Sequence, residues 1–474
     1  MNQTQKLPNL YRLLKDNEAR GSIAVGLLTP YTGGNLGDAA IQEAAIRNVR
    51  KFWPNAQIYG LTLSPDNTES RHGIPCYPIM GFSPSHYAAS SVRSRSGGCA
   101  EGKAKASAKI RNMLREMPLV YRILAGTYKP FRAIAAGICL ILVEVRHIVN
   151  SYKRARTLDL LIASGGGQLD DCWGGPWGHP YALFKWGLLA RISGKPYVFL
   201  SVGTCTLNSV LSALFIRGAL KLSVYRSFRD QISKDLLSKW KFTRNDPVFP
   251  DLAFSFSAPQ KESRRKSLNA EEQVVGLSPI AYLRPRLWPK PDASVHGLYV
   301  KQLRLFILSI VEQGYKVMLF PTAKPDEVVI KDLAEALPGE GGINIGGQVV
   351  TPPVSGLDDL FLCLKKVDCV IASRLHGVIL SHLAGKPVLA ISYDRKVDTY
   401  MGQMNQSEFC LNIQMIDAAS LEEKLHRLQA NSEQLKVAIG KMVSQFHASL
   451  DWQYRQVFSL IEEIGPDGRK QKRL

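Results

Sequence analysis

The chain has 474 residues, 45% of them hydrophobic and 21% charged, and carries a net charge of +20. It is long enough for two domains with real cores, and its composition is ordinary for a globular protein. Eight cysteines (76, 99, 139, 172, 205, 363, 369 and 410) contain no C-x-x-C pair, so neither a zinc site nor a disulfide framework is indicated. The first eight residues lack the apolar core of a signal peptide, and a reduced cytoplasmic protein is the expectation.

The first predicted strand is Ile23–Leu28. It runs through Thr32-Gly33-Gly34-Asn35-Leu36-Gly37-Asp38 into a helical pattern that reaches residue 52. Such a turn lets a ligand approach the backbone, and Asn35 and Asp38 stand at the helix entrance. A glycine-rich turn alone also serves simply to join strand to helix. A strand near 57–63 follows, and after residue 156 another near 159–163 runs into Ser164-Gly165-Gly166-Gly167-Gln168. Asp170 and Asp171 come next, as candidates to hold or deprotonate a hydroxyl or, equally, to cap a helix. The loop Trp173–Pro180 reads as a rigid Gly/Pro segment or as a sugar-stacking surface. A helix near 180–193 and a strand at 197–202 complete the αβ alternation of the first half.

Residues 256–272 are polar and charged and read as a linker. A second alternation begins at Val274 and includes strands at 316–320, 369–372 and 388–392. The strand at 369–372 feeds Ser373-Arg374-Leu375-His376-Gly377 and then an apolar helical pattern. A cation and an imidazole are thereby set at a helix N-terminus, where free N–H groups favour an anion. Arg374 offers a planar fork for a carboxylate or phosphate, and His376 can exchange a proton near neutral pH. The structural alternative pairs Arg374 with a buried carboxylate and uses His376 as a cap. His382, six residues further along, reads as a packed core histidine. Arg284 is a second-tier anion ligand. A helical pattern over 421–460 closes the chain before a basic tail.

Taken in order, these segments resemble the polysaccharide pyruvyl transferases: a G-x-x-N-x-G-D turn, a strand ending in three glycines, and an R-L-H segment. The R-L-H segment leads to the strand Gly385–Val397. The stretches Tyr225–Asp230 and Pro250–Phe254 match the family's middle signatures. The resemblance covers roughly residues 20–60 and 155–415. It implies a fold similar to the GT-B glycosyltransferases, in which two Rossmann-like domains face each other across a cleft fed by both sheets. The expected division is a first domain over 1–255, with a basic insertion at 85–156, then a second domain over 273–415 and C-terminal helices over 416–474.

The implied chemistry is transfer of a pyruvyl group from phosphoenolpyruvate, the donor substrate, to two hydroxyls of a sugar, forming a cyclic ketal. On this reading His376 is the general acid, with Arg374 and Asp171 beside it. Gly34, Asn35, Asp38, Gly165, Gly166, Gly167, Asp170, Arg226, Arg229 and Arg284 bind substrate. The scheme needs no metal and no cofactor. Asp251 reads as a residue that holds the inter-domain turn. One rival is a nucleotide-sugar glycosyltransferase on the same fold, but no E-x(7)-E-like pattern accompanies it. The other is a non-catalytic membrane adaptor, against which the complete motif set argues.

The charge is uneven. Residues 89–156 hold fourteen Lys or Arg against three acidic residues, a net +11 in about a seventh of the chain. Two helical patterns are expected there, 110–124 and the apolar 133–145, and the second is too short to span a bilayer. That segment reads either as an insertion whose apolar helix packs on the first domain or as an element lying on anionic membrane at the inner face of the plasma membrane. No nucleic-acid recognition motif accompanies the charge.

Overall fold

The computed structural model describes residues 22–29, 31–81, 140–172, 174–204, 207–240, 242, 245–256, 273–288, 290–337 and 347–464. Two parallel six-stranded sheets organise it, in the orders β3-β2-β1-β4-β5-β6 and β12-β11-β10-β7-β8-β9. The first sheet contains β1 (Ala24–Leu28), β2 (Gln57–Thr62), β3 (Cys76–Pro78), β4 (Leu160–Ser164), β5 (Tyr197–Val202) and β6 (Tyr225–Phe228). The second contains β7 (Val274–Ser278), β8 (Lys316–Leu319), β9 (Val349–Val350), β10 (Cys369–Ala372), β11 (Val388–Ser392) and β12 (Cys410–Asn412).

The central strands β1, β4, β7 and β11 are buried at every position. A parallel strand covered by helices on both faces has no solvent side, which is why these strands read as uninterrupted apolar runs. In each sheet the order reverses beside its first strand. Val25 pairs with Leu160 across β1 and β4, and Val370 pairs with Gly276 across β10 and β7. Crevices at such reversals, outside the strand C-termini, are where open α/β sheets bind ligands.

The helices that shape these crevices are α1 (Leu36–Phe52), α2 (140–157), α3 (His179–Ile192), α4 (Val210–Leu222), α5 (Leu375–Leu383), α6 (Arg395–Gln403), α7 (Ala418–Ala430) and α8 (Ser432–Ile464). The single helical pattern expected over 421–460 is in fact two helices. Asn431 caps the first, its N–H bonding back to Arg427, and the second starts at Ser432. Helix α8 then returns to the first half. Lys51 meets Asp451 at 2.6 Å, Trp53 Nε1 donates to Glu462 at 3.1 Å, and Ser201 Oγ donates to Gln453 at 3.1 Å.

The halves are also joined at the front. Leu36 N donates to Thr322 O at 3.0 Å and Lys324 N to Gly34 O at 2.7 Å, so the β1–α1 turn pairs with the loop after β8. One apolar core runs through both halves, from Val25 and Ile41 by way of Phe254 to Val275 and Leu389. The expected linker falls almost entirely outside the described residues, as do the helix at 110–124 and the basic tail. Of the helix expected at 133–145, only 140–145 is described.

Candidate active site

Four strand ends meet where the halves face each other. From the first half, Asn35 caps α1 by accepting from Gly37 N at 2.9 Å, and its amide donates to Asp38 at 3.0 Å. The cap holds Asp38 in the first turn, on the side facing the second half. Gly165 and Gly166 adopt left-handed backbone with φ of 55° and 68°. A Cβ on Gly165 would stand 2.9 Å from Ile41 Cγ2, so this turn packs directly on α1.

His376 arrives on the first turn of α5 and its ring lies against Gly37. A Cβ on Gly37 would come within 2.0–2.2 Å of His376 Cγ, Nδ1 and Cβ. The ring Nε2 faces Asp251 Oδ2 at 3.6 Å, an ion-pair distance slightly longer than a hydrogen bond, and has no hydrogen-bond partner. Burial pushes the Asp251 carboxyl up, yet His376, Arg229 and the Ala253 N–H together outweigh it and hold it well below the usual carboxylate range. Arg229 Nη1 reaches the same Oδ2 at 3.2 Å. The result is an ionised Asp251 between a guanidinium from its own half and an imidazole from the other.

Asp38 and Asp170 behave oppositely. Burial raises both, Asp170 to about 6, while Lys396 acts on each in the opposite direction. Lys396 sits in the first turn of α6, whose N-cap Asp394 accepts from its backbone N–H at 3.0 Å. A small open recess lies beside this group, lined by Arg229, Asp251, Phe254, Leu375, Lys396 and Tyr400 among others.

Several expectations are corrected by their surroundings. The Nε and Nη2 edge of Arg374 binds both oxygens of the fully buried Asp326, with Nη2 at 2.8 Å, so its fork is spent on a structural carboxylate. Asp171 accepts from Asn208 N, Asn208 Nδ2 and Ser209 N at 2.9–3.1 Å. It anchors the entrance to α4, with its carboxylate committed to these donors. Arg226 donates to Asp246 at 2.8 Å and to Leu220 O at 3.1 Å, which makes it a buried brace of the first sheet. Arg284 pairs with Asp332 and approaches His296 at 3.4 Å. His382 is the packed histidine expected of it: Nδ1 meets Tyr400 OH at 2.7 Å, and burial lowers its pKa to about 3.

Gly34, Asn35, Asp38, Gly165, Gly166, Asp170, Arg229 and His376 therefore gather at the cleft. Gly167 borders it, and a Cβ there would stand 3.4 Å from Asp170 Oδ2. Asp251, Lys396 and Asp326 were undervalued in the sequence. The signal for the first two was present, since both lie inside family-like signatures, but neither shows from spacing which charge it will meet. Trp177 is 54% exposed, with its ring 5.7 Å from those of Tyr181 and Phe215. Among the described residues no group of three or more His, Cys, Asp or Glu could hold a metal ion.

Solved structures of similar fold include a Listeria monocytogenes protein assigned as a UDP-N-acetylglucosamine 2-epimerase. Its TM-score is 0.55 at 11% identity, over 94% of this chain and 96% of that one. A glycosyltransferase from Rickettsia africae gives 0.51 at 10% identity, over 94% and 99%. At such identities the likeness concerns the fold, which is α/β with two facing Rossmann-like halves of GT-B type. The amylovoran biosynthesis protein AmsJ of Erwinia amylovora is 23% identical over 310 residues, 62% of this chain and 70% of that protein. The model for "Polysaccharide pyruvyl transferase" matches residues 35–395. With Asn35, Gly37 and Asp38, the triple glycine, the R-L-H segment and the His376–Asp251 meeting inside that span, this chain belongs to the polysaccharide pyruvyl transferase family.

Proposed function

We propose that the protein transfers a pyruvyl group from phosphoenolpyruvate to two hydroxyls of a sugar in a polysaccharide or its precursor, on the cytoplasmic side of the cell. The observation that carries this reading is His376, whose Nε2 faces ionised Asp251 while its Nδ1 edge lies over the first turn of α1. Asp251 fixes the ring and balances an imidazolium, which leaves the Nδ1 edge to serve a reactant at the N-termini of α1 and α5.

The donor carries a phosphate and a carboxylate on an enol carbon. Its anionic groups suit the two helix N-termini and the Lys396 ammonium. Because Arg374 is neutralised by Asp326, it contributes by fixing the start of α5 rather than by forking around the donor. A proton passes from His376 to the methylene carbon, which becomes a methyl group and leaves an oxocarbenium-like centre. One sugar hydroxyl adds there and loses its proton. Phosphate departs, the second hydroxyl adds and loses its proton, and the ketal closes. Asp170, raised to about 6 by burial and so mostly ionised near neutral pH, is the base that takes a hydroxyl proton on this reading.

The test is incubation with phosphoenolpyruvate and a panel of polysaccharide-repeat acceptors. Phosphate should be released in step with a mass gain of one pyruvate ketal per acceptor. Phosphate release without ketal, or turnover of a nucleotide sugar instead, would overturn the reading.

A further inference from the structure

Helix α2 is inverted. Its one acidic residue, Glu144, points inward and is buried, while Leu140, Ile141, Leu142, Val143, Val145 and Val149 are 41–64% exposed. The inward face is polar and specifically held. Glu144 accepts from Lys185 at 2.8 Å, Tyr181 OH at 2.9 Å and Gly81 N at 2.8 Å, and His147 Nε2 bonds Pro78 O at 2.9 Å. Rotating the helix to hide its apolar side would unpair this buried network, a large penalty for charged groups. The outward face adds Arg146, Lys153 and Arg156, all exposed, and presents no acid.

The position of this face matters as much as its chemistry. Helix α2 leads into β4 and runs against it, so its first turns lie level with the C-terminal end of β4. The bond from Gly81, just past the end of β3, agrees with that. This is the end of the sheet at which the cleft opens. The half-exposed Trp177 lies close by, against Tyr181, as an amphipathic ring at the same rim.

We infer that the outward face of α2 is a docking surface for an anionic lipid bilayer, lying in the interface with the cleft turned towards the membrane. Apolar residues with basic flanks and no acid match an interface of acyl chains beneath anionic headgroups. The sequence before α2 reinforces the charge, with ten Lys or Arg against two acidic residues over 89–139. Among the described residues no helix is long and apolar enough to cross a membrane, so the contact is superficial. This inference does not rest on the pyruvyl-transfer reading, since it is tested without turnover.

The experiment is vesicle flotation of the full chain, with vesicles of phosphatidylcholine alone and of phosphatidylcholine mixed with phosphatidylglycerol. Binding should rise with the anionic lipid and fall with salt. Ile141→Gln, Leu142→Gln and Val145→Gln together should lower binding at least about tenfold, with an unchanged melting temperature because all three side chains are exposed. Arg146→Gln, Lys153→Gln and Arg156→Gln together should lower it at least about tenfold on the mixed vesicles alone. A control with Met415→Gln and Val437→Gln, exposed apolar residues elsewhere, should bind like the parent protein. Absence of binding to mixed vesicles would overturn the proposal. So would undiminished binding of the apolar variant, or loss of binding in the control. If light scattering instead finds a dimer that the apolar variant splits, the face belongs to a second copy of the chain.

Discussion

The two sheets share one strand order yet bring opposite charges to the cleft. At its strand ends the first half supplies Asp38, Asp170 and Asp251, with Arg229 tied to Asp251. The second half supplies His376, Arg374 and Lys396, with Arg374 tied to Asp326. The His376–Asp251 pair takes one residue from each half. The fold provides equivalent positions at the two topological reversals, and the loops set there decide which half carries protons and which carries carboxylates.

The sharpest way to break that division is His376→Ala. Turnover should fall between about a hundred and ten thousandfold with the fold intact, as for loss of a general acid. A rate near that of the parent protein would remove His376 from the chemistry. Asp326→Asn tests the opposite claim, that Arg374 is structural. It leaves a buried guanidinium without its carboxylate and should lower stability by about 3 kcal/mol, read from the denaturant midpoint. A small stability change together with a large loss of donor affinity would return Arg374 to substrate binding.

Gly37→Ala probes the seam itself. The added Cβ would meet the His376 ring at about 2 Å, so the ring must move, and turnover should drop about tenfold. In a His376→Gly background, which removes the Cβ as well as the ring, the same change should be nearly neutral. Equal losses in both backgrounds would mean that Gly37 serves α1 rather than the histidine.

The smallest effect concerns Asp170. Its folded pKa, raised to about 6 by burial, lies above the unfolded value near 3.9. Between these values the unfolded chain has released a proton that the folded chain retains, so stability falls as pH rises from about 4 to about 6. Asp170→Asn should therefore stabilise the protein by about 1 kcal/mol at pH 7, allowing for its partial exposure, and by nothing below pH 4. Thermal melts across that range measure it. A pH-independent difference would deny Asp170 its raised pKa.

The sequence by itself determined the eight inner strands but not the edge strands β3, β6, β9 and β12, and it gave the three glycine or R-L-H turns in their order. Central parallel strands must be uninterrupted apolar runs, and a backbone that approaches a neighbour closely must be glycine; both are local demands written in local residues. It also located His376, because a strand end and a helix start bracket it. Only the tertiary structure decided what those side chains meet. Arg374 and Asp326 are 48 positions apart, His376 and Asp251 are 125 apart, and no periodicity encodes such pairings. The same holds for α2, whose composition reads equally as core or as surface. Its orientation was settled by Lys185 and Tyr181 on another helix, because a buried carboxylate must find its partners before an apolar face can choose its own.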